Sequence, residues 1–376
     1  MANTVWAFAT VGVAAELLFE AIAAEARRRI SEFNPQNMAN AVWAYATAGV
    51  PAESLFEAIA VEARNRIDEF DAQAMANTVW AFAKSGVVAR WLFETVAAEA
   101  RKRLEEFSAQ DLANTVWAFA TAGVAAQSLF EAIAAEARNR VTEFNAQDMA
   151  NTVWAFATAG VAAQQLFDAI AAEARKRVTK FNAQELANTI WAFACVGWTE
   201  SEVFRWLESA LTEGQNDMTD IEKSQLYQAA LHIKTEWPEL EFPLPADLDS
   251  LVSAYTKHEP EPSQLQREVS AMLEQMGWSH TFEYVTVEGF SLDLAQPDSK
   301  QAIEVDGPYH FLKDATSGEY VVNGATQFKS RLLRARGWRI SHVAFFEFDD
   351  KSESERRELL FGKLAEIGLQ TKALSF

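Results

Sequence analysis

Asn114-Thr-Val-Trp-Ala-Phe-Ala120 is one of six near-copies of a single heptapeptide, and the spacing of the copies decides the fold. The tryptophans fall at Trp6, Trp43, Trp80, Trp117, Trp154 and Trp191, each 37 residues after the last. The asparagines keep step at Asn3, Asn40, Asn77, Asn114, Asn151 and Asn188. A fixed period of this length marks an array of units that bury their apolar faces only by stacking on one another.

Each unit reads as a helical hairpin. Ser108-Ala-Gln-Asp111 has the form of a capping box, a hydroxyl at the N-cap and an acid three residues on, and Asn145–Asp148 and Asn182–Glu185 repeat it. A first helix then runs to Gly123, whose counterparts are Gly12, Gly49, Gly86, Gly160 and Gly197; glycine at that place suits a left-handed helix end. The second helix of the first unit carries Leu18, Phe19, Ile22, Ala26, Ile30 and Phe33 at spacings of three and four, one buried stripe. Stacked hairpins of this kind form an α-solenoid. The pattern decays after Trp191, with Thr199–Glu213 and Ile221–Ile233 predicted as a degenerate cap around Tyr227. Met1 falls where other units hold Met38, Met75 and Met149, so the pattern anticipates further units ahead of it.

Composition narrows the class. The one cysteine, Cys195, cannot form an internal disulfide and points to a reducing compartment; it takes the place of Thr121 and Thr158, a packing position. The uncharged runs Leu112–Phe130 and Met149–Phe167 approach the length of a membrane span, but each contains a helix-ending glycine and recurs as part of the repeat, so no membrane partner is expected. A net charge of −20 disfavours indiscriminate nucleic-acid binding and leaves local clusters to decide.

Three repeated features bear on function. The tryptophans lie on a helical stripe and read as core. The asparagines fit either a buried ladder between units or a concave face that touches bases. The second helices end in cations: Arg27 and Arg29, Arg64 and Arg66, Arg101 and Arg103, Arg138 and Arg140, Arg175 and Arg177. Aligned by stacking, these form a stripe able to follow a phosphate backbone. They also suit helix C-termini and lie near Glu25, Glu62, Glu99, Glu136 and Glu173, so intramolecular pairing is the competing reading. Positions that vary between units, such as Glu16, Glu53, Arg90, Gln127 and Gln164, are where a modular reader places its discriminating side chains.

Proline and acid dominate residues 236–262, predicted as a linker between a solenoid over 1–235 and a second domain over 263–376. There the expected order is a helix at Gln264–Met276, strands at Phe282–Val287, Phe290–Ala295 and Ala302–Val305, a basic helix at Ala325–Arg336, a strand at Trp338–Phe346 and a final helix at Glu353–Ile367. This is a small α/β domain with a mixed sheet. Asp293 and, farther on, Glu304-Val-Asp306 place carboxylates at the ends of adjacent strands, where they could hold Mg²⁺ and activate water. Lys329, Arg331, Arg334, Arg336 and Arg339 form a cationic run without an acid, a local reversal in an acidic chain.

Ile303-Glu-Val-Asp-Gly-Pro-Tyr-His-Phe311, with Gly324-Ala-Thr-Gln-Phe-Lys-Ser-Arg-Leu-Leu333 and Gly337-Trp-Arg-Ile340, resembles the RAP domain over about Phe290–Phe348. The preceding units resemble the octotricopeptide and heptatricopeptide repeats that accompany RAP domains. The resemblance implies an RNA-binding factor of mitochondria or plastids, acting in transcript stabilisation, processing, splicing or ribosomal RNA maturation, with other RNA-processing proteins as further partners. On this expectation the solenoid grips single-stranded RNA, and the RAP domain clamps it through His310, Lys329, Arg331, Arg334 and Arg336, with no cofactor. The RAP domain is in turn similar to the PD-(D/E)XK nuclease core. On that pattern Asp293 and Glu304 would be metal ligands, Asp306 stands at the usual lysine position, Lys329 would replace that lysine and His310 would shuttle protons. A Mg²⁺-dependent endoribonuclease and an acidic protein–protein scaffold are the alternatives.

Overall fold

A computed structural model of the chain describes residues 1–212, 218–238, 262–314 and 316–369. Paired helices occupy the repeat region: α1 Ala2–Thr10 and α2 Glu16–Arg28, α3 Pro35–Ala48 and α4 Glu53–Asn65, α5 Ala72–Lys84 and α6 Arg90–Ala100. They continue as α7 Ala109–Thr121 and α8 Gln127–Asn139, α9 Ala146–Ala159 and α10 Gln164–Lys176, α11 Ala183–Cys195 and α12 Ser201–Thr212. A thirteenth helix, α13 Asp220–Glu236, packs on α11 as one more first helix, the degenerate cap. The expected capping boxes form at Ser108, Asn145 and Asn182. Gly49 and Gly160 close their helices at φ of 66° and 67°, a conformation that side chains with a Cβ resist.

Aromatic edges knit each unit to the next. Phe56 meets Phe82 with ring centroids 4.9 Å apart, and Phe93–Phe119, Phe130–Phe156 and Phe167–Phe193 repeat the contact at 5.0–5.2 Å, all edge to face. Such pairs add about 0.5–1.5 kcal/mol each beyond the area they bury. Tyr45 takes the phenylalanine's place beside Phe19 and donates its hydroxyl to the Phe19 carbonyl at 2.6 Å. First helices follow one another closely while second helices stand farther apart, so the array curves with the first helices inside.

The second domain holds α14 Gln264–Gln275, β2 Thr281–Val285, β3 Ser291–Gln296, β4 Gln301–Asp306, β5 Phe311–Asp314, β6 Tyr320–Val322, α15 Gly324–Ala335, β7 Arg339–Ala344, α16 Phe345–Phe348 and α17 Glu353–Glu366. The mixed sheet runs β2-β3-β4-β7, antiparallel except for the parallel β4–β7 pair, with Glu304 opposite His342. The expected elements are all present, with ends shifted by a few residues. Three short strands were not anticipated: β5, β6 and Val124–Ala125 (β1), which pairs in parallel with β5. The β1–β5 pair joins the solenoid to the second domain. Most of the linker predicted over 236–262 lies outside the described residues. No described helix is long and apolar enough to cross a membrane.

Candidate nucleic-acid interface

The repeated arginines separate into two series. Arg66, Arg103 and Arg140 are half-buried and reach back to the preceding unit, donating to the carbonyls of Phe33 (2.8 Å), Phe70 (2.6 Å) and Phe107 (2.9 Å). Each also pairs with glutamates on its own unit: Arg66 with Glu62 and Glu69, Arg103 with Glu99 and Glu106, Arg140 with Glu136 and Glu143. Arg29 pairs with Glu32, and Arg177 with Glu173. The guanidinium of Arg140 hydrogen-bonds Glu143 and holds its carboxyl below the ordinary range. Arg66, Arg103 and Arg140 thus fasten one unit to the next.

The other series, Arg27, Arg64, Arg101, Arg138 and Arg175, is exposed on the second helices or, for Arg101, directly at the end of one. Arg64 lies over the Trp91 ring, Arg138 meets Gln165 and Arg175 meets Glu202, each a residue on the following unit. These cations, like Arg29, remain open to solvent, and they belong to the outer layer.

The inner layer carries the tryptophans and asparagines. Trp6, Trp43, Trp80 and Trp117 form a ladder with successive ring centroids 6.4, 6.5 and 6.2 Å apart. They are not sealed core: Trp6 is 43% exposed, and Trp43, Trp80, Trp117 and Trp154 are half-buried. Trp191 alone of the six is buried, with Phe328 against its ring and Gln228 accepting from its indole N–H. One helical turn before each tryptophan, on the same face, stands an asparagine. Asn40, Asn77, Asn114, Asn151 and Asn188 are half-buried, and no side-chain hydrogen bond to any of them occurs among the described residues. The buried inter-unit ladder is therefore not what these amides build. They line the concave face with donors and acceptors free.

In the second domain the carboxylates converge as expected, but they are occupied. Asp293 accepts from Gln266 at 2.8 Å and from the Val305 backbone N–H at 2.6 Å. Glu304 is buried and pairs with Lys329 at 2.8 Å, while its Oε1 has no partner. Burial pushes the Glu304 carboxyl up to about 7, against the opposing pull of Lys329. Burial alone would lower the Lys329 ammonium; Glu304 and Asp293 together carry it above its ordinary value. Among the described residues no group of three or more His, Cys, Asp or Glu side chains is arranged to hold an ion. Lys329 does project back from α15 to Glu304, the placement read from the sequence.

Asp306 faces two histidines. His342 Nδ1 lies 2.7 Å from one carboxylate oxygen and His310 Nδ1 3.3 Å from the other. His342 Nε2 is 2.9 Å from the Ser330 hydroxyl, and His310 Nδ1 is 3.1 Å from that of Thr326. His342 was not singled out from the sequence. Its signal was its place on a strand beside the Glu304-Val-Asp306 strand, which only the parallel β4–β7 register reveals.

The basic helix α15 docks its cations onto the solenoid. Arg331 donates to the carbonyls of Ala194 (2.5 Å) and Cys195 (3.0 Å) at the end of α11, where a cation also meets the negative end of the helix dipole. Arg336 reaches the Leu231 carbonyl of α13 and pairs with Glu288. Arg334 stays exposed, with one long contact to the Ile340 carbonyl at 3.4 Å. At Gly324 a Cβ would overlap the Ala157 carbonyl oxygen, so only glycine permits the approach.

Residues 1–226 match the model of the RNA-editing substrate-binding complex 6 protein family, well over half of the chain. The chain belongs to this family. Residues 303–363 match the RAP domain. A chloroplastic RAP domain-containing protein of Oryza sativa subsp. japonica is 31% identical over 142 residues, 36% of this chain and 21% of that protein. The matched segment thus spans about a fifth of the rice relative. The family's repeat region and the RAP domain are the two bodies joined here by β1–β5 and α15.

Proposed function

We propose that the chain binds single-stranded RNA in an organelle and takes part in RNA editing or processing as one member of a larger assembly. The family description, the RAP domain and the chloroplastic relative support the RNA and organellar parts of this reading. The observation that carries the binding mode is the concave row of asparagine amides without protein partners, each beside a tryptophan of a ladder with steps of 6.2–6.5 Å. Free amides can read base edges and aromatic faces can stack on bases, one base per helical unit.

Binding of labelled single-stranded RNA by Asn40→Ala/Asn77→Ala/Asn114→Ala, compared with the unmodified chain, tests the reading. Each lost hydrogen bond to a neutral group is worth about 1 kcal/mol, so the triple variant should bind at least about tenfold more weakly. Its melting temperature should be unchanged, because these amides hold nothing in the fold. Equal affinity of the two proteins for RNA, or no binding of RNA even at low salt, would overturn the proposal.

A further inference from the structure

A groove of about 850 Å³ opens between the β5–β6 hairpin, α15 and β7, lined by Tyr320, Thr326, Gln327, Ser330, Arg334 and His342 among others. It borders Asp306, at the carboxyl end of β4, where β4 runs parallel to β7; crevices at the carboxyl ends of parallel strands are where open α/β sheets bind ligands. Among the described residues its lining has arginines and a histidine and no acid, although the chain carries a net charge of −20. Arg334 is exposed and only weakly engaged. His342 is held from behind by buried Asp306, which fixes its ring and turns Nε2 toward Ser330 on the groove wall.

An aromatic platform stands at the rim. Phe346 stacks on Tyr320, centroids 4.6 Å apart and planes 8° from parallel, and remains 41% exposed. A cationic recess beside an exposed ring is the combination that holds one nucleotide, phosphate in the recess and base on the ring.

We propose that this groove binds one nucleotide of single-stranded RNA, its phosphate against Arg334 and His342 and its base on Phe346. The assignment rests on the RNA-binding reading of the whole chain but places a second contact outside the solenoid. Among the described residues no hydrogen bond, ion pair or ring contact joins Arg334 or Phe346 to the solenoid, so the basic helix serves both bodies: Arg331 and Arg336 dock it, and Arg334 faces the ligand.

Photocrosslinking of 4-thiouridine-containing single-stranded RNA to the full chain, followed by peptide mapping, locates the contact. Crosslinks to the segments bearing Tyr320 or Phe346 are expected beside those on the repeats. Phe346→Ala should remove the former and weaken RNA binding about tenfold, without changing the weak competition by inorganic phosphate. Arg334→Ala should weaken RNA binding and that competition alike. Crosslinks confined to the repeats, with wild-type affinity in both variants, would overturn the groove while leaving the solenoid reading intact. If the unmodified chain fails to bind RNA, titration with uridine monophosphate still decides: binding lost in Phe346→Ala supports the groove, and no binding overturns it.

Discussion

Glu304 and Arg140 show how far residue type alone under-determines a role. A carboxylate between a lysine and a second acid has the look of a metal ligand, yet its strongest influence here is burial, which holds its folded-state pKa near 7. The folded form therefore keeps a proton that the unfolded chain releases near pH 4.5. Stability from this group is full below that value and is lost as pH rises through about 7. Replacement by glutamine removes the titration. The stability difference between the unmodified chain and Glu304→Gln should shift against the unmodified chain by roughly 1–3 kcal/mol from pH 5 to pH 8. Thermal melts of both proteins at four pH values would show it, and parallel curves would contradict it. Arg140 is the opposite case, a candidate phosphate contact that the fold uses itself. Arg140→Ala leaves the Phe107 carbonyl without its donor and Glu136 and Glu143 without a cation. About 1–3 kcal/mol of stability should be lost, read from urea unfolding, with little change in RNA affinity.

At the scale of elements the informative one is α15. Its start at Gly324 lies against the Ala157 carbonyl, and beside it is Cys195, whose buried thiol is pushed up to about 12. Gly324→Ala favours the helix locally yet blocks the approach. The second domain should then swing away and Cys195 should react with an aromatic disulfide reagent that leaves the unmodified chain untouched at neutral pH. An unreactive thiol in the variant would show that the docking tolerates a methyl group. The repeat helices were legible because their period and end glycines recur six times and their capping boxes three times, each copy confirming the others. The docking was not. An arginine that caps a neighbouring helix and one left open to solvent have the same local sequence, as Arg331 and Arg334, three residues apart, demonstrate. Strand β1 was equally silent: Val124 and Ala125 pair with β5 through backbone groups, which carry no side-chain pattern. Asp293, Glu304 and Lys329 were legible as a cluster, but their mutual neutralisation depends on burial that only the packed sheet supplies.

The whole molecule presents two faces to a nucleic acid, and salt tells them apart. Its outer layer carries Arg27, Arg64, Arg101, Arg138 and Arg175 in a row, while the inner layer presents uncharged amides and indoles. Each phosphate neutralised on a single strand contributes about −0.7 to the slope of log K against log salt concentration. A strand lying on the outer row would engage five cations and give a slope of about −3.5. A strand in the concavity that also reaches the second domain's groove, with Arg334 there as its main cationic contact, should give a slope of only about −1. Changing all five outer arginines to glutamine should therefore leave both slope and affinity nearly unaltered, since none of them faces the concavity. A steep slope in the unmodified chain that flattens in the five-fold variant would move the RNA to the outer layer and reduce the asparagine row to a solvent-facing surface. The acidic remainder of the chain favours the shallow outcome: a net charge of −20 opposes long-range attraction of a phosphate strand and shifts the affinity onto short-range contacts that salt screens little.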